Sequence, residues 1–240
     1  MHELLNREKN SMKILVVIPA RSGSKRLPKK NLRMLGNKTL IEWTLDIAVQ
    51  IPNIADIMVS TDDKIIAEIS LNAGALVPWL RPNELAQDDS SLVEVVLHAL
   101  DWYETARSPV EAVLLLQPTS PFRSLDLVQK GIAMFTESEM LPVIGVSKVF
   151  QHPELMMRQV GEYLQPLMDL GKRKERSQDL HELFVPNGNF YLISAQNLRD
   201  SKSFFQPVVI PLLASSEKES LDIDTPEDLE IAELMIRMLK

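Results

Sequence analysis

The chain has 240 residues, a formal net charge of −7 and no cysteine. That length buries a full core as one domain, and the acidic balance argues against non-specific nucleic-acid binding, which needs a basic face. The absence of thiols removes disulfides, thiolate metal sites and thiol nucleophiles together, leaving oxygen ligands or the four histidines for any metal.

Short apolar, β-prone runs then alternate with helix-like stretches along the chain. Strands are expected at Lys13–Ile18, Ile57–Ser60, Ala75–Val77, Ala112–Leu116, Val143–Val146, Phe190–Ile193 and Val208–Ile210. Helices are expected at Leu40–Gln50, Asp63–Asn72, Leu92–Thr105, Leu125–Phe135 and Pro226–Leu239, with Ser91, Ser124 and Thr225 as capping residues. Thr225-Pro226-Glu227-Asp228 places a cap, then proline at the first helical position, then acids beside the helix dipole. This alternation predicts an α/β fold with a doubly wound, mostly parallel sheet, in which a ligand sits beyond the carboxyl ends of the strands. The rule selects the loops after Ile18, Ser60, Leu116 and Phe190. Residues 1–12 read as a disordered or extended N-terminus and 13–240 as the domain. From Phe150 to Phe184 the alternation gives way to clustered Met, His and charge, read as an excursion at about 150–185 that pairs subunits, a hairpin or helical arm. His2, His98, His152 and His181 are too widely spread for a metal cluster or catalytic pair, and Trp43, Trp79 and Trp102 read as core. No apolar stretch approaches the roughly 20 residues of a membrane helix, and Met1 to Met12 is too polar for a signal peptide, so the expected setting is cytoplasmic with no membrane partner.

The most informative stretch is Ile18 to Asn31, a Gly/Ser loop loaded with cations directly after the apolar run Ile14 to Ile18. No acid lies between Glu8 and Glu42, whereas nine Lys or Arg fall there. Backbone amides around Ser22-Gly23-Ser24 can face phosphate oxygens, while Arg21, Lys25 and Lys30 can neutralise the charge of about −4 on a nucleoside triphosphate. The stretch lacks the second glycine of a GxxxxGK[ST] loop. A solvated basic turn or a nuclear-import patch is the other reading of the same residues. Ser22 and Ser24 have no His or Lys base in a triad pattern, which argues against a covalent nucleophile.

These residues resemble the cytidylyltransferases that activate nine-carbon acidic sugars, the acylneuraminate cytidylyltransferases with their legionaminate and pseudaminate relatives. The likeness runs from Ile14 to about Leu234. It implies a Rossmann-like nucleotidyltransferase fold. Ile-Pro-Ala-Arg-x-Gly-Ser-Lys-x-x-x-x-Lys-Asn is similar to the family's nucleotide loop, which assigns Arg21, Ser22, Gly23, Ser24, Lys25, Lys30 and Asn31 to CTP, with Arg21, Lys25 and Lys30 as the catalytic cations. Arg81-Pro82 and the following Leu85-Ala86-Gln87-Asp88-Asp89-Ser90-Ser91 resemble a second element, implying Arg81, Ser90 and Ser91 near the nucleotide. Gln117-Pro118-Thr119-Ser120-Pro121-Phe122-Arg123 resembles a third, with Gln117 meeting the sugar.

Further along, Asn187-Gly188-Asn189-Phe190-Tyr191 resembles the family's sugar pocket, with Asn187 and Tyr191 facing the acceptor. Phe204-Phe205 resembles an aromatic pair contributed across a homodimer, although the two residues alone read as core or interface. Asp222-Ile223-Asp224 is similar to the family's metal motif. Carboxylates at i and i+2 on a strand end point to one side and can share Mg²⁺ with phosphate oxygens, or they can simply cap the helix that follows. Where the family often has Arg immediately before Gln-Asp-Leu, this chain has Ser177, with Arg176 one place earlier as the implied sugar contact, and His152-Pro153 is followed by Glu154-Leu155 rather than a nearby Lys. The resemblance implies transfer from CTP to a nine-carbon nonulosonic acid. The same chemistry on an eight-carbon acid, or a non-catalytic nucleotide-binding regulator, are the alternatives.

Overall fold

The computed structural model of the protein describes residues 12–168 and 181–238. Among these, the strands are β1 (Ile14–Pro19), β2 (Met34–Leu35), β3 (Lys38–Thr39), β4 (Asp56–Ser60), β5 (Ala112–Leu115), β6 (Val143–Lys148), β7 (Met157–Val160), β8 (Tyr163–Pro166), β9 (Phe184–Ser194) and β10 (Ile210–Leu213). The helices are α1 (Leu40–Ala48), α2 (Lys64–Asn72), α3 (Leu92–Ala106), α4 (Leu125–Glu137), α5 (Ala195–Ser201) and α6 (Pro226–Arg237). None is long and apolar enough to cross a membrane.

A six-stranded sheet of order β10-β6-β9-β5-β1-β4 forms the centre. β1 pairs in parallel with β4 and β5, and β6 in parallel with β10, whereas β9 runs antiparallel to both β5 and β6. The strands are apolar without alternation because helices cover both faces. In β1 the period of two splits the side chains. Ile14, Val16 and Ile18 join a cluster with Ile41 and Leu45 of α1, Ile66 of α2 and Phe135 of α4. Leu15 and Val17 face a second cluster with Val96 and Leu100 of α3 and Leu198 of α5. The sheet is thus doubly wound and mostly parallel, as expected.

Several expectations shift. Ala75–Val77 is no strand: Leu76 makes a lone parallel bridge to Met58 at the sheet edge. The strand expected at Val208–Ile210 begins at Ile210, and the one at Phe190–Ile193 reaches back to Phe184. α5 is too short for a helical period to show in sequence, and its start is fixed by Ser194 accepting from the Asn197 amide. Ser124 and Thr225 cap α4 and α6 as expected, Thr225 within a capping box with Asp228, while Ser91 precedes α3 without a side-chain cap bond. Trp43, Trp79 and Trp102 lie at cluster rims rather than inside them.

The excursion leaves from the carboxyl end of β6. A 3-10 turn at Pro153–Leu155 is pinned by His152, whose Nδ1 accepts from the Glu154 amide at 3.2 Å and whose Nε2 donates to the His181 carbonyl at 3.1 Å. β7 and β8 then form an antiparallel hairpin, exposed along both strands, with Tyr163 76% exposed; Phe150, before the turn, is 86% exposed. The N-terminal segment falls outside the described residues up to residue 11, as do residues 169–180 of the excursion.

Candidate active site

β1 delivers the chain into the cationic loop at the carboxyl edge of the sheet, and long-range contacts then shape that loop. The Ser22 amide and hydroxyl donate to the Asp62 carboxylate at 2.7 and 2.6 Å. Burial pushes Asp62 up, but the two Ser22 bonds outweigh it and hold the carboxyl below its usual range. Asn31, buried, donates through Nδ2 to the Arg21 carbonyl at 2.9 Å. Lys29 takes a left-handed backbone, φ 54°, at the entry to the 3-10 turn Lys30–Leu32. For a residue with a Cβ this costs about 1–2 kcal/mol, and the kink aims Lys30 inward, its side chain only 17% exposed.

Two carboxylates divide the loop's cations. Asp88 pairs with Arg21 at 3.0 Å and Lys25 at 2.8 Å, and the neighbouring Gln87 carbonyl accepts from Arg21 at 2.6 Å. Asp224 takes Lys30 at 2.6 Å together with Arg26. Lys25 is the main reason the Asp88 carboxyl sits below its ordinary range. At Asp224 burial acts upward, but contact with Lys30 and Arg26 prevails and its carboxyl is lowered.

A cavity opens between this loop and the loop before α3. Arg21, Lys30, Arg81 and Asp88 bring charge to it, and Leu85, Leu92 and Val95 supply an apolar wall. Gly23, Ser24, Asn31, Ser90 and Gln117 line it as well. Arg81 is nearly buried, held by its Nε donating to the Ser60 hydroxyl at 3.0 Å and by the Ser60 carbonyl, and burial pulls its guanidinium down to about 10. Ser90 donates to the Glu84 carbonyl at 3.0 Å, fixing the loop. Ser91 does not line this cavity, and Ser22 has turned away to Asp62.

Gln117, Pro118 and Thr119 line one end of the cavity, and beyond Gln117 stand Gly188, Ser120 and Asp222. Gly188 has φ +79°, and a Cβ there would stand 3.0 Å from Gln117 Oε1, 3.5 Å from Ser120 Oγ and 3.7 Å from Asp222 Oδ1. Ser120 Oγ and Asp222 Oδ1 are buried without hydrogen-bond partners among the described residues. Burial, above all, raises the Asp222 carboxyl, with the Asp224 charge adding to the effect and the Thr119 hydroxyl and Lys30 opposing it. Asp222 and Asp224 are not on a strand; the segment is extended, and Ile223 between them faces the core while its amide donates to the Thr119 carbonyl at 2.8 Å. Asn187 is buried, donating to Ser147 at 2.9 Å and accepting from the Asn189 amide at 3.2 Å. Its neighbour across the sheet is Gly145, where a Cβ would lie 1.8 Å from Asn189 Oδ1, so only glycine leaves room for the asparagines. Tyr191 is buried near Asp222, its ring 5.6 Å from Phe204. Phe204 belongs to this chain's own core, whereas Phe205 is 60% exposed. Arg176 lies outside the described residues.

Three site residues carried no assignment from sequence. Arg123 is wholly buried and donates to the Asn189 and Gln117 carbonyls, tying the two loops together; burial pulls it down to about 9. Asp62 anchors Ser22, and Asp88 supplies the counter-charge to Arg21 and Lys25 described above. All three lie at strand ends or in motif segments, which was the available signal, but each has a partner 40 or more residues away in sequence.

The profile of the cytidylyltransferase family matches residues 15–166. The chain is 37% identical to the CMP-N,N'-diacetyllegionaminic acid synthase of Legionella pneumophila, over 95% of this chain and 97% of that protein. It is 33% identical to an Escherichia coli N-acylneuraminate cytidylyltransferase over 92% of this chain, spanning 51% of that longer relative, and 29% identical to the Campylobacter jejuni pseudaminic acid cytidylyltransferase over 95% of this chain and 97% of that one. Among solved structures, a CMP:2-keto-3-deoxy-manno-octonic acid synthetase complexed with CTP shares the fold, with TM-score 0.69 at 18% identity over 95% of this chain and 100% of that one. With a family match over more than half its length and relatives aligned end to end, the chain belongs to the cytidylyltransferase family of nucleotidyltransferases.

Proposed function

We propose that the protein couples CTP to an N-acylated nine-carbon nonulosonic acid of the legionaminate type, giving the CMP-sugar and pyrophosphate. The observation that carries this is the end-to-end match to the legionaminic acid synthase, joined to a cavity with a cationic mouth and an apolar wall, whose Lys30 is paired with Asp224. The acceptor's anomeric hydroxyl oxygen bonds the α-phosphorus in line as the bridge to the β-phosphate breaks, the hydroxyl proton passes to water and pyrophosphate departs. Arg21 and Lys25 would meet the departing phosphates, Lys30 and Asn31 the α-phosphate and ribose region, with Arg81 and Ser90 behind the nucleotide. The pyrimidine ring would lie against the wall of Leu85, Leu92 and Val95.

A divalent metal suits the unpartnered Asp222 Oδ1 and the neighbouring Asp224, and Mg²⁺ is the hard cation that oxygen-only ligands favour. No cluster of three or more protein ligands stands there among the described residues, so phosphate oxygens would complete the shell. When bound, the ion neutralises charge developing on the phosphates. Gln117, Gly188, Asn187 and Tyr191 would hold the sugar, and the exposed hairpin would pair two copies, with Phe205 presented to the partner.

The test is a panel of N,N'-diacetyllegionaminate, N-acetylneuraminate, pseudaminate and the eight-carbon acid, each with CTP, compared by kcat/KM. The legionaminate-type acid should be preferred by about ten-fold or more. A preference for N-acetylneuraminate rejects the acceptor assignment, and turnover of the eight-carbon acid alone rejects the nine-carbon reading.

A further inference from the structure

Of the two carboxylates that hold the loop's cations, Asp224 has a place beside the metal, whereas Asp88 has none in the chemistry above. Asp88 lies between the 3-10 turn at Asn83–Leu85 and α3, its side chain 42% exposed. One of its oxygens is 3.0 Å from Arg21 Nη2 and the other 2.8 Å from Lys25 Nζ. Arg21, Gly23, Ser24, Lys30 and Asp88 line the same cavity. Its two oxygens therefore take up the donors that a polyphosphate entering this cavity needs, and carboxylate and phosphate oxygens compete for such donors with the same geometry. A triphosphate of about −4 charge cannot share those cations with a carboxylate without strong like-charge repulsion.

We propose that Asp88 is a positioning residue that acts as an internal competitor for the polyphosphate: it holds Arg21 and Lys25 in the empty enzyme, yields them as the nucleotide enters, and reclaims them as pyrophosphate leaves. The inference rests on the assignment of Arg21 and Lys25 to the phosphates. Two consequences follow from the charges. Without a counter-ion, four cations at Arg21, Lys25, Arg26 and Lys30 would share one carboxylate, and the loop would lose the order that aims Arg21. With it, each cation exchanges one anionic partner for another, which lowers affinity for the polyphosphate and eases its release. Both ion pairs are partly solvated, so the effect tunes binding rather than blocking it.

The experiment compares equilibrium affinities of the full-length protein for inorganic pyrophosphate, CTP and CMP by calorimetry, in wild type, Asp88→Asn, Asp88→Glu and Asp89→Asn. Asp89 carries the same charge one residue along and makes no ion pair with the loop among the described residues. Asp88→Asn should tighten pyrophosphate and CTP by roughly three- to ten-fold, leave CMP within about two-fold, and strengthen product inhibition by pyrophosphate to the same degree. Asp88→Glu should stay near wild type. A gain of affinity confined to polyphosphates is a readout that loss of structure cannot produce. Unchanged or weakened pyrophosphate binding in Asp88→Asn, or an equal gain in Asp89→Asn, overturns the proposal. A wild-type protein that binds pyrophosphate but not CTP would reject the nucleotide assignment, while the pyrophosphate comparison still decides the role of Asp88.

Discussion

The loop end of the candidate site and the far end beyond Gln117 differ in how their polar groups are satisfied. At the loop end Arg21 and Lys30 each have a carboxylate within the same chain, Arg81 is held by Ser60, and the loop is braced by Asp62 and Asn31. At the far end Ser120 Oγ and Asp222 Oδ1 are buried without a hydrogen-bond partner among the described residues, Gly188 puts no side chain among the oxygens of Gln117, Ser120 and Asp222, and Phe205 stands exposed. Buried oxygens without partners cost about 1–3 kcal/mol each. The loop end is therefore finished before any ligand arrives, while the far end keeps unmet bonding capacity that a bound sugar, a metal or a second chain would satisfy. Preorganisation is cheap where the ligand is a polyanion that ion pairs can imitate; no side chain imitates a polyhydroxylated acid as closely.

The largest effect expected from breaking this contrast comes at the carboxylates joining the two ends. Asp222→Asn and Asp224→Asn should each lower kcat by on the order of a thousand-fold at saturating Mg²⁺, measured by pyrophosphate release. Their effects on the fold should differ. The Asp222 carboxyl is raised in the native state, so the stability that its protonated form contributes is full below the unfolded value and lost as pH rises through the folded one. Asp222→Asn should consequently keep or raise Tm at neutral pH without metal. Asp224→Asn, which strands Lys30 and Arg26, should lower it. Near-normal turnover in both variants would reassign the pair to capping α6.

A smaller loss tests whether a second chain completes the far end. Tyr163→Asp combined with Leu164→Asp places charge on two exposed apolar positions of the hairpin. The variant should scatter light as a monomer and lose roughly ten- to thirty-fold in kcat/KM for the acceptor, with CTP affinity unchanged. A wild-type monomer with full specific activity would remove the partner from the account. The least disruptive change is Gly188→Ala. A methyl 3.0 Å from Gln117 Oε1 on a positive-φ backbone should cost about 1–2 kcal/mol of stability and raise the acceptor KM about ten-fold. If CTP binding weakened instead, the two ends would not be separable as described.

The order of elements and the cationic loop were legible in the sequence because both are local: an apolar run predicts a buried strand, and nine cations without an acid predict an anionic ligand whatever the surroundings. Thr225 and Ser124 could be read as caps for the same reason, since their bonds close within three residues. The direction of β9 could not be read, because period and composition are the same in parallel and antiparallel strands, and only its pairing with β5 and β6 fixes it. Nor could the sequence say that Ser22 would turn to Asp62, that Arg123 would bridge the loops at Gln117 and Asn189, or that Asp88 and Asp224, 136 positions apart, would divide one set of cations. Charge is a property of composition, but which charges meet depends on the chain's closure, and that was decided only when the sheet brought the carboxyl ends of its strands to one edge.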